Sequence, residues 1–379
     1  MTAEVLPIGF KTTAAAAGIK KRGLDLGLLL SDRPATAAAV FTTNSFPAAP
    51  VVLSRENLLA SGHKLRAVLV NSGNANACNG EAGLAVARKC AEELANRLGC
   101  SPNEVFVSST GVIGRPLPAD LVCNQIPSLV SGAHSVREFS QAIMTTDTFP
   151  KVASSEADGV RILGFAKGSG MIHPNMATML SFVATDAQID YLELDRALRY
   201  AVDRSFHSIS VDGDTSTNDV VAVLANGASG IAAKPEAFTA QLMDVCQKLA
   251  RAIAKDGEGA SKFVELAIEG APSDEEARII GRSVARSPLV KTAIYGSDPN
   301  WGRLVAAVGN SGVELTSSEI EIYIDDIPMI HGDLAAAQEK MKAREIRFRI
   351  VLHSGSGRAT VWTCDFTEGY IRINADYTT

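Results

Sequence analysis

No part of this 379-residue chain approaches the roughly 18 uninterrupted apolar residues that a membrane-spanning helix needs, so no transmembrane segment is read in it. A basic surplus is missing as well. Lys and Arg total 36 against 42 Asp and Glu, giving a formal net charge of −6, so no positive field invites nucleic acid or an anionic membrane. Small molecules and further copies of the chain are the expected partners. The six cysteines (Cys78, Cys90, Cys100, Cys123, Cys246 and Cys364) form no CxxC pair and no finger-like spacing. That pattern indicates neither a disulfide framework nor a structural zinc site and predicts reduced, mostly buried thiols. The opening MTAEVLPIGFKTTAAAAGIKKRG carries most of its basic residues after its short Ala run, the reverse of a secretory signal, and the expected compartment is the cytoplasm.

Common catalytic signatures are equally scarce. There is no GxSxG elbow, and the histidines (His63, His134, His173, His207, His331, His353) stand in unrelated contexts, so a Ser-His-Asp triad finds no support and each reads as a surface or structural residue. KGSG at 167–170 lacks the GxxxxGK[ST] order of a phosphate loop, and no GxGxxG lies between a strand and a helix. DGDTSTND at 212–219 superficially resembles a calcium loop. Its glycine comes second, however, and the twelfth position from Asp212 is Val223 rather than a bidentate acid, so a capped turn accounts for it better.

Alternating strand and helix patterns are abundant, and the length suits two or three packed units. Strand-like runs occur at 67–73, 105–111 and 178–187; helical patterns occur at 81–98, closed by Gly99, at 191–205, entered from Asp190, and at about 235–255. The texture changes near 262–272. Beyond it come a strand, the helical SDEEARIIGRSVARS, a hairpin from Glu319 onward, an Ala/Lys/Glu helix and closing strands. This predicts an α/β main unit over 1–265 and a smaller C-terminal α/β unit over 266–379. Gly-, Thr- and Asn-rich turns at the strand ends suggest one polar cavity built by several loops.

One threonine could become an N-terminus. In KGSGMIHPNMATMLSF, small Ala177 precedes Thr178, which opens a nearly apolar run. A hydroxyl beside its own preceding carbonyl can attack it to form an ester that water then opens. The released α-amine has a reference pKa of roughly 7.7 to 8.0, so it can take the proton of its own hydroxyl without a histidine. Taken by spacing alone, an Ala-Thr step before an apolar strand is equally an ordinary strand start.

The segment KGSGMIHPNMATML strongly resembles the cleavage and nucleophile motif of the ornithine acetyltransferase, or glutamate N-acetyltransferase, family. The likeness continues in order through NSGNANACNG, SSTGVIG, MTTDTFPK, DGDTSTND, DGEGASK, GSDPNWGR and the C-terminal INADYTT, and so covers essentially the whole chain. The resemblance implies self-cleavage between Ala177 and Thr178 into chains 1–177 and 178–379, with Thr178 as nucleophile. It further implies an oxyanion hole from Thr110 and Gly111, and substrate contacts from Thr145, Lys167, Thr178, Glu258, Asn374 and Thr379. A lysine suits a carboxylate and a glutamate suits an ammonium. The implied fold is a layered αββα-type sandwich with mixed sheets, completed by the C-terminal α/β unit.

The implied reaction is ping-pong acetyl transfer from N2-acetylornithine to glutamate in arginine biosynthesis, through an acetyl ester on Thr178. Substrates and the chain's own two fragments are the implied partners, in a tetramer of two long and two short fragments. No metal or organic cofactor is implied; some members of the family also take acetyl from acetyl-CoA, which nothing in these residues decides. Self-cleaving aminopeptidases of the DmpA type share the architecture and are the main rival. A non-enzymatic binding protein on an enzyme-like fold is a second rival, and an intact single chain would favour it.

Overall fold

The computed structural model describes residues 5–173 and 179–376. Ala177, Thr178 and Thr379, and with them the expected cleavage bond, lie outside the described residues. The first sheet contains β1 (Phe10–Ala15), β2 (Leu26–Phe41), β3 (Lys64–Asn74), β4 (Val105–Val112), β5 (Lys151–Ala157), β6 (Val160–Lys167), β7 (Leu180–Thr185) and β8 (Val220–Ala225). Its order is β4-β3-β2-β8-β7-β6-β5, with β1 paired to β2. β3/β4 and β7/β8 are parallel and the remaining pairs are antiparallel, so the sheet is mixed.

β2 makes the layers. Its first residues pair with β3, the register breaks between Leu30 and Ala35, and residues 36–41 pair with β8. The strand therefore passes from one half of the sheet to the other. Alternation along the strands then sorts the side chains. Val68, Val70, Phe165, Phe182 and Leu224 from both halves share one inner core. Ala67, Leu69 and Val107 turn outward beneath the helix Gly80–Leu98. Ile162, Val183 and Val223 turn outward beneath the helices Tyr191–Asp203 and Pro235–Lys255. Helix, half-sheet, half-sheet and helix follow one another, which is the layered sandwich expected from the sequence.

The second sheet contains β9 (Phe263–Ala271), β10 (Glu321–Ile324), β11 (Ile327–Pro328), β12 (Glu345–Val351) and β13 (Gly357–Cys364), in the order β11-β10-β12-β9-β13. One face packs Leu266, Ile268, Phe348 and Ile350 against Ile280, Val284 and Leu304 of its helices. Phe263, Trp362 and Cys364 join the core beneath Pro235–Lys255, which ties the two units together.

Local signals explain the helix ends. The Asp190 carboxylate caps its helix by accepting from the Glu193 amide at 3.0 Å. Gly99 closes Gly80–Leu98 at φ 66°, a conformation that favours glycine. The closing strands expected after the Ala/Lys/Glu helix are β12 and β13, and beyond them the described residues add an unexpected helix, Glu368–Asp376. The thiols depart in part: Cys90, Cys246 and Cys364 are buried, Cys100 and Cys123 are half-buried, and Cys78 is exposed. No helix among the described residues is long and apolar enough to cross a membrane.

Candidate active site

Thr110 and Gly111 sit at the end of β4, opposite Ser72 and Gly73 of β3. The strands approach so closely that a Cβ on Gly111 would stand 2.4 Å from the Gly73 carbonyl carbon, and φ of 130° at Gly111 is itself unsuited to an L side chain. Thr110 is buried, and its hydroxyl makes no hydrogen bond within the described residues. Asparagines brace the turn around it. The Ser109 hydroxyl donates to Asn71 Oδ1 at 2.6 Å, and the Asn71 amide donates to the Asn74 carbonyl at 2.9 Å. Asn218, just before β8, donates to the carbonyls of Ala75 at 2.7 Å and Ser109 at 2.8 Å, so it clamps the start of β8 to the Thr110 strand.

Met179 is the first described residue after Thr178. Its amide donates to Asp219 Oδ1 at 3.0 Å, and Oδ2 of the same carboxyl has no partner among the described residues. Burial drives the Asp219 carboxyl well above the usual carboxylate range. On the other side of the expected cleavage bond, Asp212 receives the amides of Met171 at 2.5 Å and Ile172 at 2.8 Å. The DGDTSTND segment therefore holds the chain on both flanks of the bond, an anchoring role beyond the capped turn expected of it.

Lys167 ends β6 and is only 3% exposed. Its ammonium donates to the Thr145 hydroxyl at 3.5 Å and has no ion-pair partner within 4 Å among the described residues. Burial pulls this ammonium below its usual range, while the charges of Asp147, Asp219 and Glu258 act in the other direction. Its remaining N–H donors have no acceptor among the described residues.

A buried ion triad, which the sequence reading did not single out, fixes these residues. Lys151 lies between Asp147 at 2.6 Å and Asp256 at 2.5 Å, all three nearly free of solvent. Asp147 accepts the Thr145 amide at 3.0 Å and the Gly168 amide at 2.7 Å; Asp256 accepts the Thr148 amide at 3.0 Å. Burial opposes the charge on Asp147, but Lys151 and Lys167 hold its carboxyl below the usual range. The only prior signal was the Asp and Lys four residues apart in MTTDTFPK.

Glu258 comes from the loop after Pro235–Lys255. Its amide donates to the Ser169 carbonyl at 2.8 Å, and its carboxylate fills the space where a Cβ on Gly170 would stand, 2.3 Å away. Asn374, on the final helix, donates to Glu258 Oε2 at 2.9 Å. That helix is docked on the same loop through the Thr367 hydroxyl, which donates to the Gly259 carbonyl at 2.6 Å. Thr145, Lys167, Glu258 and Asn374 are thereby linked. An open groove of about 630 Å³ beside His63 and Tyr191 contains none of them.

The ArgJ family model matches residues 11–379. The chain belongs to the ArgJ family. It is 48% identical to the arginine biosynthesis bifunctional protein ArgJ of Geobacter sulfurreducens, across 98% of this chain and 99% of that protein. It is also 48% identical to the ArgJ of Thermus thermophilus, across 99% of each. The crystal structure of ArgJ from Bacillus halodurans is similar with a TM-score of 0.50 and 42% identity, covering 53% of this chain and 100% of that one. Family membership thus agrees with the fold reached from β2 and the two cores.

Proposed function

We propose that this chain is an acyltransferase of arginine biosynthesis that moves acetyl from N2-acetylornithine to glutamate. Thr178, freed at its N-terminus by cleavage after Ala177, attacks the acetyl carbonyl while its own amine takes the hydroxyl proton. Thr110 and Gly111 receive the oxyanion. Ornithine leaves, acetyl remains as an ester on Thr178, and the uncharged amine of glutamate attacks that ester. Lys167, Thr145, Glu258, Asn374 and Thr379 bind the amino-acid portions. No metal or organic cofactor takes part. The enzyme works in the cytoplasm as a tetramer of two long and two short fragments.

The observation that carries this reading is the buried Lys167 beside Thr145, without an ion-pair partner among the described residues, on the strand leading into the Ala177/Thr178 segment and linked by charge to Glu258. It supports a pocket for a small zwitterion rather than for a peptide. A second support is length: the Bacillus halodurans chain aligns in full to 53% of this one, the same fraction that residues 178–379 occupy.

Incubation with acetyl-labelled N2-acetylornithine, with and without glutamate, tests the proposal. Label should pass to N-acetylglutamate only when glutamate is present. Label recovered solely as acetate would favour an amidohydrolase and defeat the transferase reading. The relatives are named bifunctional, so the same assay is run with acetyl-CoA as donor.

A further inference from the structure

Ornithine and glutamate share an α-amino acid end and carry opposite charges on their side chains. A site that takes them in turn needs partners for the common end and, for the variable end, both an anion and a cation. Lys167 and Glu258 supply one charge of each sign. A second cation, Lys20, stands against the same loops.

Its placement is fixed from three sides. The Asp25 carboxylate, fully buried, receives the amides of Ala17 at 2.6 Å, Ile19 at 2.6 Å and Lys20 at 2.9 Å, so the loop carrying Lys20 is tied down. The aliphatic stem lies over Gly73, where a Cβ would stand 2.7 Å from Lys20 Cγ, and Gly73 is the register partner of Gly111. The ammonium donates to the Met144 carbonyl at 3.1 Å, one residue before Thr145. Lys20 therefore bridges the Thr110/Gly111 turn and the Thr145 loop.

Its chemistry is unfinished. An ammonium has three donors, and this one has a single neutral acceptor and no ion pair within 4 Å among the described residues. Its neighbours Lys21 and Arg22 are exposed, whereas Lys20 is half-buried. Burial pulls the ammonium down, and the charges of Asp25 and Asp147 pull it back.

We propose that Lys20 receives the side-chain carboxylate of glutamate and is the residue that selects the acetyl acceptor. This rests on the acetyl-transfer reading above. Glu258 would correspondingly take the side-chain ammonium of ornithine.

The test separates the two claims by following the two half-reactions. The protein is first acetylated with labelled N2-acetylornithine and freed of donor. Loss of acetyl is then followed at rising glutamate, and in parallel at rising glutamine. The expected result is that Lys20→Met acetylates within about twofold of the parent. Discharging it should need about 10-fold to 100-fold more glutamate, the size expected when a hydrogen bond to a charged group is lost. Lys20→Arg should discharge near the parent concentration. The parent should prefer glutamate over glutamine, and Lys20→Met should lose that preference.

Unchanged glutamate dependence in Lys20→Met would overturn the proposal. So would an equal loss in both half-reactions, because Lys20 would then serve the common carboxylate. A parent protein that does not distinguish glutamate from glutamine overturns it without any variant. Failure of the parent to hold acetyl at all would instead remove the transfer reading.

Discussion

At the scale of single residues the account turns on donors and on where charge is tolerated. Thr110 is buried, its hydroxyl has no hydrogen-bond partner among the described residues, and it stands beside Gly111, where a Cβ would meet the Gly73 backbone. Thr110→Val keeps the shape and removes the donor. It should lower kcat/KM about 100-fold to 1,000-fold with little change in melting temperature, as steady-state assay and thermal unfolding would measure. His173 lies between the KGSG loop and the cleavage segment, its Nδ1 3.2 Å from the Ser210 hydroxyl. Burial, with Arg286 and Arg282 nearby, lowers its pKa to about 4. Because the folded value is depressed, the unfolded chain binds the extra proton first. Stability from this residue is complete above the ordinary pKa near 6.5 and falls as pH drops toward about 4. Melting temperatures measured across that window should therefore decline less steeply for His173→Gln than for the parent; parallel curves would contradict the assignment.

At the scale of elements, the Lys151 triad carries the alignment of Thr145 and the KGSG loop. Lys151→Met leaves two buried carboxylates unpaired and should cost about 3 to 5 kcal/mol, read by denaturant unfolding. Adding Asp147→Asn and Asp256→Asn should recover part of that stability but not the activity. This triad was not legible in advance, because its third member, Asp256, lies 105 residues beyond Lys151 and only the fold brings the two together. Helices with strong local signals were legible: Asp190 and Gly99 cap where the sequence predicts, since capping is decided within a few residues. The final helix was not. GYIRIN is rich in residues that suit strands, and its helix rests on tertiary contacts, Thr367 to Gly259 and the Tyr370 hydroxyl to Asp212 at 3.3 Å. Lys20 also escaped the sequence reading, since a basic cluster in a loop looks solvated until Asp25 and Gly73 are seen to hold one member inward.

At the scale of the molecule, topology decides what cleavage can do. The sheet order sets β7 and β8 between β2 on one side and β6 on the other. Strands that would belong to the fragment 178–379 are thus flanked by strands of the fragment 1–177, with six register pairs between β6 and β7 and six between β2 and β8. Cutting before Thr178 removes one covalent link and leaves both ladders and the shared inner core intact. The two fragments should therefore elute together on size exclusion in native buffer and separate only in denaturant. The layered arrangement was foreseeable from alternating strands and helices together with the family likeness. The crossing of β2 between the two halves was not read in advance: Pro34, which has no N–H for the ladder, sits in the register break between Leu30 and Ala35, but it marks only an interruption and not which strand β2 pairs with next.

The central claim is that Thr178 becomes a free N-terminus and carries the acetyl group. Intact mass measurement of the purified protein, repeated after brief exposure to N2-acetylornithine, tests it most directly. The account predicts two species corresponding to residues 1–177 and 178–379, followed by a single acetyl added to the second and located on Thr178 by fragmentation. A protein that transfers acetyl with residues 177 and 178 still joined, or acetyl found on another side chain, would contradict it.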